Sequence, residues 1–278
     1  MSARTGLAMP SYVIVGGSRG VGLELVRQLA VDAENAVFVV ARNEAGSKYL
    51  NELVEKSTTG NIHIVQADVV EASSMKAAAA SVAKATGGSL DVLIHNAART
   101  ELTHAFRGLT DYEDDDTLDT EFIQSFKVNV LGAIHAVNAF LPLLRKGSAK
   151  KIAIIGSEGG TSEYAWGIRI PGMAAYATTK AAEHLVATKY AVLLEPEGFT
   201  VVTISPGLVD TRATAVEKAD PADTTEMAGQ IARFQEAFTN FKAFTPEEAV
   251  SRILSIVAEI SPKDNASFWS YYEWRKKD

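Results

Sequence analysis

The sequence predicts a single-domain α/β fold, a doubly wound parallel sheet of about seven strands with helices on both faces. Three observations predict it. Short runs rich in Val and Ile recur along the chain, longer segments with apolar residues three and four apart separate them, and a glycine-rich turn follows the first run. Strand and helix alternating in this way imply right-handed crossovers and parallel pairing.

The runs are Tyr12–Val15, Ala36–Val40, Ile62–Val65, Val92–Ile94, Ile152–Ile155 and Val201–Ile204. None alternates apolar with polar, as expected of strands covered on both faces. Helical spacing marks Val21–Ala30, Phe122–Leu144 and a stretch opening at Tyr176 and running to about Glu195. Asp111–Asp119 reads as a solvated loop and helix start. Thr245-Pro246-Glu247-Glu248 reads as a capped helix beginning, with Thr245 as N-cap, Pro246 at the first position and Glu248 at the third. The aromatic tail Ser267–Trp274 is expected to form a last strand or a subunit contact. No repeat or linker divides the 278 residues. Two halves, about 10–150 and about 151–278, make one domain with one substantial core.

Composition narrows the function. Hydrophobic residues make up 47% and charged residues 22%, the balance of a globular chain. The net charge of −7, with no basic block, argues against nucleic acid or an anionic membrane as partner. There is no cysteine, so disulfides, thiolate catalysis and cysteine metal sites are excluded, and no metal is expected. No signal sequence, membrane-length apolar run or C-terminal address is read, and the cytoplasm is the expected location.

The first strand runs into Gly16-Gly17-Ser18-Arg19-Gly20-Val21-Gly22, with a helical pattern immediately after. Glycines there permit a tight turn and close approach of backbone to a ligand, and the helix N-terminus offers free N–H groups to a pyrophosphate. The second strand ends in Val40-Ala41-Arg42, where an NAD site places a carboxylate for the ribose hydroxyls. Ala41 cannot serve so. Arg42, with Arg19 as second clamp, suits a 2′-phosphate, which points to NADPH as cofactor.

Tyr176 and Lys180, four apart, share one helix face. A nearby ammonium favours the phenolate and brings tyrosine toward working pH. Ser157 lies just past the fifth strand, at the sheet end where ligands bind, and its hydroxyl can meet a carbonyl oxygen as charge develops on it.

In this order, glycine turn, Asn96-Ala97, Ser157 and Tyr176-x-x-x-Lys180, the chain resembles the short-chain dehydrogenase/reductase family, of NADP-preferring carbonyl reductase type, from about Tyr12 to Ile260. The resemblance implies a Rossmann-type fold and reduction of a ketone or aldehyde by NADPH, and Arg19 and Arg42 sit where the family's NADP-binding members carry basic residues. It implies that Tyr176 donates the proton, Lys180 holds the nicotinamide ribose, Ser157 polarises the substrate oxygen and Asn129 anchors a relay water. Asp68 and Val69 match the adenine-contact position, Asn96 and Ala97 the segment lining the cofactor cleft, and Pro206, Gly207, Val209 and Thr211 the segment flanking the nicotinamide. Val15, His95 and Ala98 stand where the family usually has Thr, Asn and Gly; His95 is read as structural. Family members associate as dimers or tetramers, often through the helices that carry Asn129 and Tyr176.

Eighteen residues separate Ser157 from Tyr176, more than is usual in the family. Trp166, Ile170 and Met173 in that segment, with Phe234 and Phe238 (and Phe241) at helical spacing further on, are expected to line an apolar substrate pocket; internal packing is the competing reading. Two other functions stay open: a cofactor-binding sensor or scaffold without turnover, and an isomerase or dehydratase of the same superfamily.

Overall fold

A computed structural model of the protein describes residues 9–100, 106–215, 228–229, 232–233, 236 and 243–270. Seven strands form one sheet in the order β3-β2-β1-β4-β5-β6-β7, parallel throughout. They are β1 (Ser11–Val15), β2 (Ala36–Ala41), β3 (Ile62–Gln66), β4 (Val92–His95), β5 (Lys151–Ile155), β6 (Thr200–Ile204) and β7 (Phe268–Trp269). The six anticipated strands are all present, each lengthened by one residue or more where a flanking residue joins the ladder. The seventh forms at the start of the aromatic tail.

The helices are α1 (Gly20–Leu29), α2 (Lys48–Lys56), α3 (Ala72–Thr86), α4 (Asp115–Ser125), α5 (Gly132–Leu144), α6 (Ser162–Ile168), α7 (Ala174–Leu194) and α8 (Pro246–Glu259). Each strand divides its side chains between two cores. Val13, Val15, Phe38, Leu93, Ile152 and Val201 face α3, α5 and α7, where Met75, Phe140 and Tyr190 pack against them. Ile14, Val37, Val39, Ile94, Ala153 and Val202 face α1 and α8, meeting Leu25, Val26, Ile253 and Val257. That two-sided burial is why the strands read as unbroken apolar runs.

Asp114 caps α4, its carboxylate accepting from Thr117 N at 2.6 Å. The acidic patch is therefore a helix start, with negative charge at the positive end of the dipole. A π-helical turn, Phe126–Leu131, joins α4 to α5. The continuous helix Asp115–Leu144 is long and apolar enough to cross a membrane, but its inner face (Ala133, Ala136, Val137, Phe140, Leu144) packs in the core. Thr245 accepts from Glu248 N at 3.2 Å while Glu248 accepts from Thr245 N at 3.0 Å, the reciprocal cap expected for α8.

Strand order reverses between β1 and β4. From β1 the chain builds outward to β3, then returns to β4 and builds the other way. The crevice beyond the carboxyl ends of the strands at such a reversal is where this architecture takes ligands.

Candidate active site

The glycine turn closes over the end of β1. Gly16 has φ +84°, and a side chain there would meet Ala97 at 2.7–2.9 Å. Its carbonyl accepts from Asn96 Nδ2 at 2.8 Å, so the segment after β4 is tied to the turn. Gly20, φ +56°, donates its N–H to Thr214 Oγ1 at 2.9 Å and lies against Thr211. Arg19 precedes α1 in extended conformation, Ser18 is half-buried, and the N–H groups of Val21 and Gly22 find no acceptor among the described residues. A helix N-terminus with free donors beside packed glycines fits the pyrophosphate of a dinucleotide.

The rest of the cleft follows from the strand ends. Ala41 is buried and Arg42 exposed; neither Arg42 nor Arg19 forms an ion pair among the described residues. Asp68 shapes the turn after β3, accepting from Val70 N at 3.1 Å, and the Val69 carbonyl meets His135 Nδ1 at 2.8 Å. After β6, Gly207 adopts φ +76° beside Pro206, Val209 bridges to Phe244, and Thr211 and Thr214 reach the glycine turn. The predicted cofactor residues thus gather along one rim of the sheet.

Ser157 follows β5, and its Oγ accepts from Gly159 N at 3.1 Å. The turn Glu158–Gly160 packs directly on α7: a side chain at Gly160 would stand 2.6 Å from Ala181 N. That contact brings Ser157 to the first turns of α7. Tyr176 is half-buried there, and its hydroxyl bonds to none of the described residues. Lys180 is 3% exposed; its Nζ lies 5.6 Å from the Tyr176 ring centroid, donates to the Ile155 carbonyl at 2.8 Å, and stands 2.7 Å from Glu183 Oε2. Burial alone would lower the lysine, but Glu183 and Tyr176 outweigh it and hold the ammonium above its ordinary value.

Asn129 lies fully buried in the π-helical turn, a geometry that recurs at functional sites. Its Nδ2 donates to Thr179 Oγ1 at 2.8 Å and its Oδ1 accepts from Arg99 N at 2.6 Å. Arg99 in turn pairs with Glu121 at 2.7 Å. Asn129 is therefore held beside α7 through Thr179, the neighbour of Lys180. His95 is fully buried and held neutral, at about 3, by burial first and the Lys180 charge second, consistent with a structural role.

In the segment between Ser157 and Tyr176, Trp166 is 72% exposed and stacks under the Arg169 guanidinium at 3.8 Å, so it sits on the surface of α6. Ile170 and Met173 are half-buried, and Met173 leads into α7 with φ +58°. Phe234, Phe238 and Phe241 lie outside the described residues. Sequence reasoning missed Thr179, Thr214 and Glu183. Spacing offered a signal for Glu183, which is three residues beyond Lys180 and seven beyond Tyr176 and so shares their helix face.

The profile of the short chain dehydrogenase family matches residues 11–222. The short-chain dehydrogenase/reductase atnB of an Arthrinium species is 37% identical, covering 96% of this chain and all of that one. AacuF of Aspergillus aculeatus, also a short-chain dehydrogenase/reductase, is 37% identical over 90% of this chain and 92% of its own. The crystal structure of NADPH-bound carbonyl reductase from chicken fatty liver superposes with a TM-score of 0.72 at 26% identity, over 95% of this chain and 92% of that one. Matched over most of its length in sequence and in fold, the chain belongs to the short-chain dehydrogenase/reductase family of oxidoreductases.

Proposed function

We propose that the protein is an NADPH-dependent oxidoreductase that reduces a ketone or aldehyde to an alcohol, with Tyr176 as general acid. The observation that carries this reading is a charged, buried Lys180 one helical turn from a half-buried tyrosine hydroxyl with no other partner among the described residues. The nicotinamide cofactor, when bound, supplies the hydride. The protein's own residues do the rest.

Val21 and Gly22 offer N–H groups to the pyrophosphate, and Arg19 and Arg42 offer donors to a 2′-phosphate with no carboxylate at the end of β2 to repel it. The NADPH in the chicken carbonyl reductase supports that choice. Ser157 donates to the substrate oxygen as negative charge grows there, and Tyr176 delivers its proton to the same oxygen. The Lys180 ammonium favours the phenolate left behind and would hold the nicotinamide ribose when the cofactor is bound. Asn129, locked by Thr179 and Arg99, holds the end of a proton path. Ile170 and Met173 give the substrate side an apolar edge, which suits an aromatic or aliphatic carbonyl. A reducing compartment such as the cytoplasm suits a chain without cysteine.

The test is NADPH consumption against a panel of ketones, aldehydes and diketones, with NADH and Tyr176→Phe run alongside. Substrate-dependent oxidation that prefers NADPH and falls at least about a hundredfold in Tyr176→Phe is expected, the scale of one general acid. Tight NADPH binding without turnover on any member would instead favour a sensor.

A further inference from the structure

A glutamate stands inside the reacting machinery. Glu183 lies on α7 in one stripe with Tyr176 and Lys180, its side chain is fully buried, and its Oε2 is 2.7 Å from Lys180 Nζ. Carboxylates are almost never fully buried unless paired, and removing one partner of such a pair leaves an uncompensated charge. The other anchor of the ammonium is neutral, the Ile155 carbonyl at the end of the strand that leads to Ser157.

The ionisable neighbours are few. On α7, Tyr176 faces the ammonium, while His184 turns to Thr203. From β4 comes His95, neutral at working pH. In the turn after β5, Glu158 is bonded by Ser205 and by Ser270. On the α4 side, Glu121 is taken by Arg99 and Lys127 is exposed. Strand β6 has no ionisable residue, and the one on β5, Lys151, is at its far end. Glu183 is thus the one carboxylate among the described residues that is paired with Lys180. Burial pushes Glu183 itself up to about 7, with Lys180 opposing, so the carboxylate is charged above that pH, the range in which Lys180 titrates.

We propose that Glu183 is a positioning residue of the active site: its carboxylate is the fixed counter-ion that keeps the Lys180 ammonium charged and anchored under the end of β5, and it acts on Tyr176 through that ammonium. The inference rests on the reductase reading for its meaning, but not for its test. A buried lysine left with one carbonyl partner loses its proton more readily, and a neutral lysine no longer favours the phenolate.

The experiment titrates Lys180 in the full chain by the ¹³C shift of its ε-methylene, assigned by loss of the resonance in Lys180→Met, in wild type, Glu183→Gln and Glu183→Asp. The midpoint is expected to fall by at least about one pH unit in Glu183→Gln, a tenfold change in the ratio of charged to neutral lysine, and by less in Glu183→Asp. A side chain that only fills space would not move this midpoint. An unchanged Lys180 midpoint in folded Glu183→Gln overturns the proposal. If Glu183→Gln does not fold, Glu183→Met, which removes the charge at similar volume, is titrated in its place, and a wild-type midpoint there overturns the proposal equally. Lys180 titrates whether or not the protein turns over, so this result is separate from the Tyr176→Phe assay that judges the reductase reading.

Discussion

A methyl group added at Gly22 would stand 2.1 Å from the Gly16 carbonyl and 2.6 Å from Asn96 Nδ2. Neither atom can retreat, because they are bonded to each other at 2.8 Å across the mouth of the cofactor cleft. Gly22→Ala is therefore expected to lose about 1–3 kcal/mol of stability, the cost of overpacking, and to weaken nucleotide binding in calorimetry. Asp91 plays the matching part at the opposite end of the sheet. Its carboxylate accepts from Ser11 N and Oγ at 3.0 Å and from Ser148 N and Oγ at 2.8 Å, joining the starts of β1, β4 and β5. Burial alone would raise this carboxyl, but the bonds from Ser148 and Ser11 outweigh it and hold it below the ordinary value. A group depressed in the folded state stabilises above its unfolded value, about 3.9, and that contribution is lost as pH falls through the folded value. Asp91→Ala should cost about 2–4 kcal/mol near neutrality, as expected for several bonds to a charged acceptor. The Tm gap to wild type should close below about pH 4; a gap independent of pH would contradict this account.

Among the elements, α8 offers the cleanest test of a cap. Thr245→Ala removes the bond to Glu248 N and should cost about 1 kcal/mol, or about 2–4 °C in Tm by calorimetry. This cap could be read directly, because Thr, Pro and Glu each have a physical reason for their place in the first turn. The strands were equally legible, since two-sided burial leaves only apolar residues to choose from. The end of β5, which leads to Ser157, meets the helix that carries Tyr176 and Lys180 because strand ends and helix faces follow from periodicity. Other features left no such mark. A π-helical turn at Phe126–Leu131 has no composition of its own, and the bond from Asn129 to Thr179 links residues 50 apart in the chain. The spacing of Glu183 put it on the face of Lys180, but an acidic residue in a helix reads as surface until the tertiary packing that buries it is seen. The substrate side was least legible: Trp166, expected in a pocket wall, instead covers the outside of α6 with Arg169.

At the scale of the molecule, α7 presents Leu185, Val192 and Leu193 to solvent, 57–67% exposed, and the long helix beside it presents Ile123, Phe126 and Leu131. Leu185 and Val192 are seven apart and share a face. Homo-oligomer formation through these helices is proposed, and sedimentation should show a dimer or larger that Leu185→Glu or Val192→Glu dissociates; a wild-type monomer would refute it. The all-parallel strand order has a further consequence, for the way the chain is made. Strand β1 needs β4 as a neighbour, and the paired residues Tyr12 and Val92 are 80 apart in the chain. At a synthesis rate of roughly 5–20 residues per second, β1 emerges roughly 4–16 s before its partner exists. The edge of β6 stays open until Phe268 and Trp269 arrive, 64 residues after Ile204 in the case of Phe268. A nascent chain of this protein thus exposes open, strongly apolar strand edges while the sheet is being built, and is a natural client for whatever guards the ribosome exit.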